Sequence, residues 1–149
     1  MSETKYGKNI IIGIPDKIKE QTAMSQETQG EGSSKMVVYT DGEYNPGVNF
    51  VTAGWVLKES VNSMIHDHSH DEYLGLFGSD TDHPEELCGE IEITLGDEKH
   101  TITKSCVIFI PAGVSHGAIK NKKVDKPIFY FATTPTPSFS KENEVLSQD

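Results

Sequence analysis

Short apolar runs separated by turn residues dominate the sequence from residue 36 onward. These runs are rich in β-branched and aromatic residues, and several of them alternate with polar residues, which is typical of β-strands. Gly96 and Asp97 predict a hairpin turn between two of them. The predicted strands cover residues 36–40, 50–57, 63–66, 73–77, 89–95, 99–103, 106–110, 115–120 and 127–133. Many short strands with almost no helix predict an all-β sandwich or barrel.

The first 35 residues follow a different pattern. The apolar burst 9–13, bounded by glycine and Pro15, predicts a strand at or near a sheet edge. From Asp16 to Ala23 the sequence predicts one or two helical turns, with Asp16 as the N-cap. Residues 24–35 are mostly Ser, Gln, Glu and Gly without periodicity, which indicates a flexible connector.

The predicted organisation is one domain with three regions. At 149 residues the chain is long enough for one core and too short for two. Residues 1–35 form the N-terminal strand and connector, residues 36–134 form the barrel, and residues 135–149 form a C-terminal tail. Within that tail, Phe139 is the residue that we expect to dock on the body of the protein.

Composition sets limits on location. No apolar run approaches the ~20 residues that cross a bilayer, and the first five residues lack the pattern of a signal peptide. Cys88 and Cys106 are too few for a disulfide framework, and Cys106 lies in a predicted buried strand. We therefore expect a cytoplasmic protein with two reduced thiols and no membrane partner.

Charge narrows the choice of partner. Lysine and arginine total 13 against 23 aspartate and glutamate, a formal net charge of −10 that repels polyphosphate backbones. Nucleic acid is therefore excluded as an expected partner. Arginine is absent, so an anionic ligand would have to be held by lysine, backbone N–H groups or a metal.

The candidate chemistry centres on a histidine stretch. His66, His68 and His70 fall within five residues and are followed by Glu72. Alternate side chains of a strand share one face, so His66 and His68 would project together. A tight reversal through residues 69–71 would return Glu72 to the same side. Two imidazoles and a carboxylate would then converge, and such ligands suit a divalent transition metal.

A second candidate segment lies much further along the chain. The apolar strand 106–110 ends in a turn with Pro111 and Gly113, and His116 follows directly. His116 is therefore a fourth candidate ligand. His70 can replace His66 in a shifted pair, but Glu72 would then be too close, so we favour His66 and His68.

The remaining histidines have simpler interpretations. His100 alternates along an exposed hairpin and is interpreted as a surface residue, whereas His83 lies in the acidic loop 79–88. That loop is either a rim over the site or a solvated connection, and we favour the second interpretation. The Cys106 thiol is not expected to act as a nucleophile, because an apolar setting raises a thiol pKa.

These two segments resemble the motifs of the cupin family. Its first motif is HxH, three or four residues, Glu and a later Gly, and its second is Pro-x-Gly-x-x-His. The matching residues are His66, His68, Glu72 and Gly78 for the first, and Pro111, Gly113 and His116 for the second. Gly78 comes one residue early, Ser105 replaces a usual Gly, and Lys120 replaces a usual Asn. The match spans about the central two-thirds of the chain and is similar to a little-described subgroup.

The resemblance implies a cupin-like β-barrel, or jelly roll, with one divalent transition metal: Fe, Mn, Zn or Ni. His66, His68, Glu72 and His116 would be its ligands, and Glu72 would also be the candidate catalytic base. Four protein ligands leave about two positions open on a six-coordinate metal. The implied function is a metal-dependent enzyme of dioxygenase, isomerase or lyase type that acts on a small oxygenated organic molecule. The alternative is a non-catalytic metal-bearing binding or sensing protein.

A homodimer is the expected assembly. The apolar residues 10–12 precede the predicted connector, so they could reach the sheet edge of a neighbouring copy. Cupins resemble this chain in often pairing by strand exchange.

Overall fold

The computed structural model describes residues 4–139 and 142–146, and within these ranges the chain forms ten β-strands and one α-helix. A short 3₁₀ turn, Gly7–Asn9, precedes the helix α1, Asp16–Gln29. The strands are β1 Ser34–Thr40, β2 Val51–Val56, β3 Ser60–Asp67, β4 Glu72–Gly78, β5 Glu86–Leu95, β6 Glu98–Lys104, β7 Cys106–Ile110, β8 His116–Val124, β9 Ile128–Thr133 and β10 Glu142–Leu146.

The strands form two five-stranded antiparallel sheets. Sheet I has the order β1-β2-β9-β4-β7, and sheet II has the order β10-β3-β8-β5-β6. Strand β2 shows how the pattern builds the core, since its residues alternate between buried and half-buried positions and Val56 faces inward. Buried aliphatic residues from both sheets meet there: Val56, Leu76, Leu87, Ile91 and Ile128. The predicted all-β fold is confirmed.

The predicted N-terminal strand over residues 9–13 is wrong. Residues 10–13 have no regular structure, and Ile10 and Ile12 are 71% and 89% exposed. Gly13 adopts a φ of +84°, and Pro15 has no N–H to donate. Both residues therefore disfavour the regular backbone hydrogen bonds that join neighbouring strands. One backbone bond does reach sheet I, where the Tyr39 N–H donates to the Gly13 carbonyl over 3.1 Å.

Helix α1 is longer than the predicted turns, and it takes up half of the predicted connector. Asp16 is its first residue, and the helix runs to Gln29 because no Gly or Pro interrupts it and Gln, Glu, Met and Ala favour helix. It is polar on nearly all sides, with Ile18 as a buried residue, so it lacks the apolar stripe that marks an amphipathic helix. Gly30, with φ +122°, follows its end.

The predicted tail also contributes a strand. Strand β10 pairs with β3 at the edge of sheet II, with Val145 opposite Ile65. Before it, the carbonyls of Thr136 and Pro137 accept bonds from Phe50 N (2.9 Å) and Gly42 N (2.7 Å). Residues 1–3, 140–141 and 147–149 of the two predicted terminal regions lie outside the described residues. No described helix has the length and apolar character needed to cross a membrane.

The outward sides of the two sheets differ in character. Sheet I presents aromatic rings outward, which we call the aromatic face: Trp55, Tyr73, Phe77, Phe109, Phe129 and Phe131. Neighbouring rings touch, with centroids 5.3 Å apart for Trp55 and Phe129 and 5.2 Å apart for Tyr73 and Phe109. On sheet II, Glu92 instead pairs with Lys120 and Lys122. Sheet I therefore has no clearly polar side.

Candidate metal centre

Two paired strands and one loop carry the candidate ligands. His66 lies near the end of β3 and is directly opposite His116, the first residue of β8. His68 follows the end of β3, and Glu72 opens β4 after the reversal through residues 69–71. The two sequence segments that carry the motifs are therefore neighbours in space.

Two hydrogen bonds join those segments. The Gly113 N–H donates to the His68 carbonyl over 2.8 Å. The Ala112 N–H donates to Asp71 Oδ1 over 2.9 Å. The turn before β8 is thus tied to the loop before β4, which holds His68 and His116 on facing sides of one site.

Three imidazoles come together closely enough to hold a metal ion. One ring nitrogen from each of His66, His68 and His116 lies within 4.8 Å of the other two. His68 and His116 are 1% and 3% exposed, so water competes little for their nitrogens. This spacing suits ligands placed about 2 Å from a shared ion.

Glu72 lies beside two of these rings. Its Oε1 atom is 3.5 Å from His68 Nε2 and 3.3 Å from His116 Nε2. The carboxylate is buried, with Glu72 7% exposed. A buried carboxylate needs a positive partner, and either a protonated imidazole or a metal ion supplies one.

Hydrogen bonds set the tautomers of two of the histidines. His68 Nδ1 is 2.8 Å from the His70 carbonyl, and His116 Nδ1 is 2.9 Å from the Val114 carbonyl. A carbonyl only accepts, so both Nδ1 atoms carry the proton and each neutral ring keeps its lone pair on Nε2. Both Nε2 atoms are buried and form no hydrogen bond with the described residues. This is the arrangement of a histidine prepared to bind a metal through Nε2.

The pKa of His116 reflects its contact with Glu72. Burial by itself lowers this pKa, but the Glu72 carboxylate and the Val114 carbonyl outweigh burial, and the net pKa lies above the ordinary value of 6.5. A raised pKa means that the protonated ring stabilises the metal-free fold fully below that value. The contribution is lost as pH rises through the folded-state pKa.

We expect Glu72→Gln to lower the pKa of His116 in the metal-free protein, because the substitution removes the negative charge 3.3 Å from Nε2. Titration of the imidazole by NMR, in buffer treated with chelator, measures this shift. The matched control is Glu98→Gln, which neutralises an exposed carboxylate on β6. An equal shift in both variants would contradict the contact.

The other histidines and Cys106 are not members of the group of three imidazoles. The His70 ring stacks on His68 with centroids 4.2 Å apart, and His70 is not in the group of three. His83 lies 3.6 Å from Asp80, and His100 lies 3.2 Å from Glu98, both on the surface. The Asp80 carboxylate in the same loop pairs with Lys126 over 2.9 Å. Burial raises the pKa of the Cys106 thiol, which opposes a nucleophilic role.

Phe139 is a site residue whose role sequence reasoning missed. The expectation that it docks on the body is confirmed, since its ring lies 4.9 Å from the Phe50 ring. It also packs against the histidine rings. The centroid of its ring lies 5.4 Å from that of His68, 6.1 Å from that of His66 and 5.9 Å from that of His70. An aromatic residue in an otherwise polar tail was the available signal, and nothing in its spacing pointed to the histidines.

The fold, but not the sequence, matches known proteins. No protein-family model matches the chain, and no curated protein matches it by sequence. Peruvianin-I, a cysteine peptidase from Thevetia peruviana latex, is similar with a TM-score of 0.52 and 10% identity, over 78% of this chain and 68% of that chain. A recombinant oxalate oxidase in complex with glycolate is similar with a TM-score of 0.50 and 14% identity, over 78% of this chain and 56% of that chain. Rru_A2000 from Rhodospirillum rubrum, a cupin-2 domain, is similar with a TM-score of 0.49 and 12% identity. The similarity covers 78% of this chain and 67% of that chain.

Proposed function

This chain has the cupin fold, and from that premise we propose that it is a metal-dependent enzyme acting on a small oxygenated organic molecule. The reaction would be of dioxygenase, isomerase or lyase type. The observation that carries this proposal is the pair of buried Nε2 atoms, on His68 and His116, that face a buried carboxylate without a hydrogen bond. Buried polar atoms of this kind indicate a ligand that completes them.

We propose His66, His68, His116 and Glu72 as the residues that hold the metal. The donor set, imidazole nitrogens with one carboxylate oxygen, fits Fe, Mn, Zn or Ni. A bound ion of this kind supplies Lewis-acid polarisation of a substrate oxygen or a redox centre. Glu72 has a second proposed role, because a buried carboxylate beside the reacting group can accept a proton from it.

Phe139 and Phe50 support the proposed enclosure of the site. Their rings touch at 4.9 Å, and Phe139 lies against His68 and His66. Apolar rings at this position exclude bulk water, which strengthens charge interactions between the enzyme groups and a bound substrate.

The test is metal content followed by turnover. Protein purified without an affinity tag is analysed for transition metals, stripped with chelator and reloaded with each candidate ion. Substrate loss is then followed with small hydroxy, oxo and dicarboxylic acids, with oxygen consumption recorded in parallel. Stoichiometric metal with turnover in one reloaded form supports the proposal. Absence of metal binding in every form would overturn it.

The alternative is a metal-bearing protein that binds or senses a small molecule without converting it. The contact of Phe139 with three histidine rings supports a binding role equally, because the ring encloses a ligand without supplying a group that reacts with it. This alternative would be supported if the protein binds metal stoichiometrically and binds a ligand saturably, while the ligand is not consumed over many hours.

We propose a cytoplasmic location and no nucleic-acid partner. Cys88 and Cys106 are both free thiols, which supports a reducing compartment. The net charge of −10 supports the absence of nucleic-acid binding.

We propose a homodimer formed through the aromatic face. Tyr73, Phe77 and Phe109 are 46%, 36% and 49% exposed on one side of sheet I. Five strands about 4.8 Å apart and about six residues long span roughly 480 Å². The exposed Ile10 and Ile12, beside the β1 edge, extend this area toward the ~800 Å² per partner of a stable interface. A second copy offers the same surface, on which Lys35 beside Trp55 is basic and the aromatic residues are uncharged, so pairing there avoids repulsion between two acidic chains.

Sedimentation velocity tests the assembly. We expect wild type to sediment as a dimer and Phe109→Asp to shift it to monomer, because a buried carboxylate would face apolar rings. The matched control is Thr101→Asp, at an exposed position on β6 of sheet II. Dissociation by Ile12→Asp alone would favour the strand exchange expected from the sequence. A wild-type monomer at the highest attainable concentration would contradict both arrangements.

A further inference from the structure

A chamber lies inside the barrel. It is a cavity of about 160 Å³ between the two sheets. Its walls come from β1, β2, β4 and β9 of sheet I and from β3, β5 and β8 of sheet II: Ser34, Val56, Asn62, Leu74, Leu76, Ile91, Ile93, Ile119, Asn121 and Tyr130. The lining includes neither Glu72 nor any of the three grouped histidines.

Most of the chamber wall is aliphatic, and its polar groups are few and uncharged. Six of the lining residues are Val, Leu or Ile, and the polar ones are Ser34, Asn62, Asn121 and Tyr130. Asn121 Nδ2 donates to Ser60 Oγ over 2.9 Å, and Asn62 Oδ1 accepts from Met64 N over 3.1 Å. The Asn121 carbonyl oxygen and the Asn62 amide N–H₂ take part in neither of these bonds.

Among the polar lining residues, Tyr130 is the aromatic one and carries a hydroxyl. Burial raises the pKa of Tyr130, with no hydrogen bond contributing to the shift, so the hydroxyl is neutral at pH 7. It can donate and accept at once. A ligand oxygen that bonds to it would gain affinity from this hydrogen bond.

We propose that this chamber binds a small uncharged molecule with an apolar body of about one six-membered ring and a single hydroxyl or carbonyl oxygen. The volume supports the size, since a dry cavity of about 150 Å³ accommodates benzene. No charged residue stands in the described lining, so an ionised ligand would lose hydration without compensation. The oxygen would bond to Tyr130, and the ring would contact Leu76, Ile91 and Ile119.

This site adjoins the proposed metal centre but shares no lining residue with it. Asn62, an exposed residue at the chamber mouth, precedes His66 by four residues on β3, a separation of about 13 Å along a strand. Leu74 is the nearest wall residue on β4, two positions beyond Glu72. Binding in the chamber therefore requires no metal, and it can be measured on metal-free protein whether or not the proposed function is correct.

Fluorine NMR of metal-free protein tests the proposal with three probes. We expect saturable binding of 4-fluorophenol and fluorobenzene, with 4-fluorophenol about fivefold tighter for its additional hydrogen bond. We expect no binding of 4-fluorobenzoate. Tyr130→Phe should remove the preference for 4-fluorophenol while fluorobenzene still binds. The matched control is Tyr73→Phe on the outward side of sheet I, which should keep the preference.

Filling the chamber gives an independent check. Ile119→Phe should abolish binding of both neutral probes, and Val56→Leu, a smaller enlargement, should weaken both if the first variant does not fold. Absence of saturable binding to wild type would overturn the proposal. Retention of the 4-fluorophenol preference in Tyr130→Phe would overturn the role of Tyr130. Binding that survives both filling variants would place the probes outside the chamber.

Discussion

Replacing His116 with alanine will lower the affinity of the protein for divalent transition metals by more than about 100-fold and abolish any metal-dependent turnover. Loss of a residue that only orients a ligand already costs 10- to 100-fold, and loss of a ligand itself should cost more. His116 supplies a buried Nε2 that no described residue satisfies. Glu72→Ala should have the same direction of effect, because it removes the carboxylate that lies beside two of the rings.

The measurements are metal content by elemental analysis and affinity by competition with a chromophoric chelator. His100→Ala is the matched control, since it removes an imidazole from an exposed position on β6. Equal metal content in His116→Ala and wild type would contradict the proposed centre.

The fold itself should survive these substitutions. The core residues Leu87, Ile91 and Ile128 lie between the sheets and do not include the ligands. We therefore expect both variants to keep the circular dichroism of the wild type, and chelator to lower the melting temperature without unfolding the chain. Collapse of the metal-free protein would mean that the metal is structural, and the enzyme proposal would lose its main support.

Much of the barrel could be predicted because strand alternation is a local property. The hairpin of β5 and β6 was visible from its alternating residues and from Gly96, which adopts a φ of +62° at the turn. The approach of Glu72 to His68 was likewise predictable from a short reversal. The resemblance to cupins is confirmed at the level of the fold.

The missed elements depend on contacts distant in sequence. Strand β10 has a partner only because β3 leaves an edge open, which its own residues do not encode. The sequence predicts a connector over the second half of helix α1, because the helix-favouring residues there form almost no apolar stripe. At Ile10 and Ile12 the apolar residues predict a strand, but in the structure these two residues are exposed and form no strand.

The glycines show most clearly what a motif leaves out. Gly113 belongs to the recognised motif, whereas Gly117 lies just beyond it. In the structure a Cβ on Gly113 would meet nothing within 4 Å. A Cβ on Gly117 would fall against the Met64 carbonyl oxygen and 2.9 Å from Ile65 Cα. Backbone approach between β3 and β8 therefore depends on Gly117, and only the register of the two strands reveals it.

We expect Gly117→Ala to destabilise the protein by about 3 kcal/mol or more, and Gly113→Ala by only about 1 kcal/mol. Both glycines have positive φ, +131° and +82°, so alanine is strained at either position. At Gly117 the added methyl also collides with backbone, which cannot move without separating β3 from β8. Urea denaturation of the two metal-free variants measures the difference.

The same pair of variants separates stability from site assembly. Gly117 is opposite Ile65 in the ladder, directly beside the pair formed by His66 and His116. Separating the strands there would pull those two imidazoles apart, so we expect Gly117→Ala to lose metal even at temperatures where it remains folded. Gly113→Ala leaves this ladder intact and should retain metal. Similar stability and similar metal affinity in the two variants would show that β3 and β8 do not need their close approach at Gly117 to assemble the site.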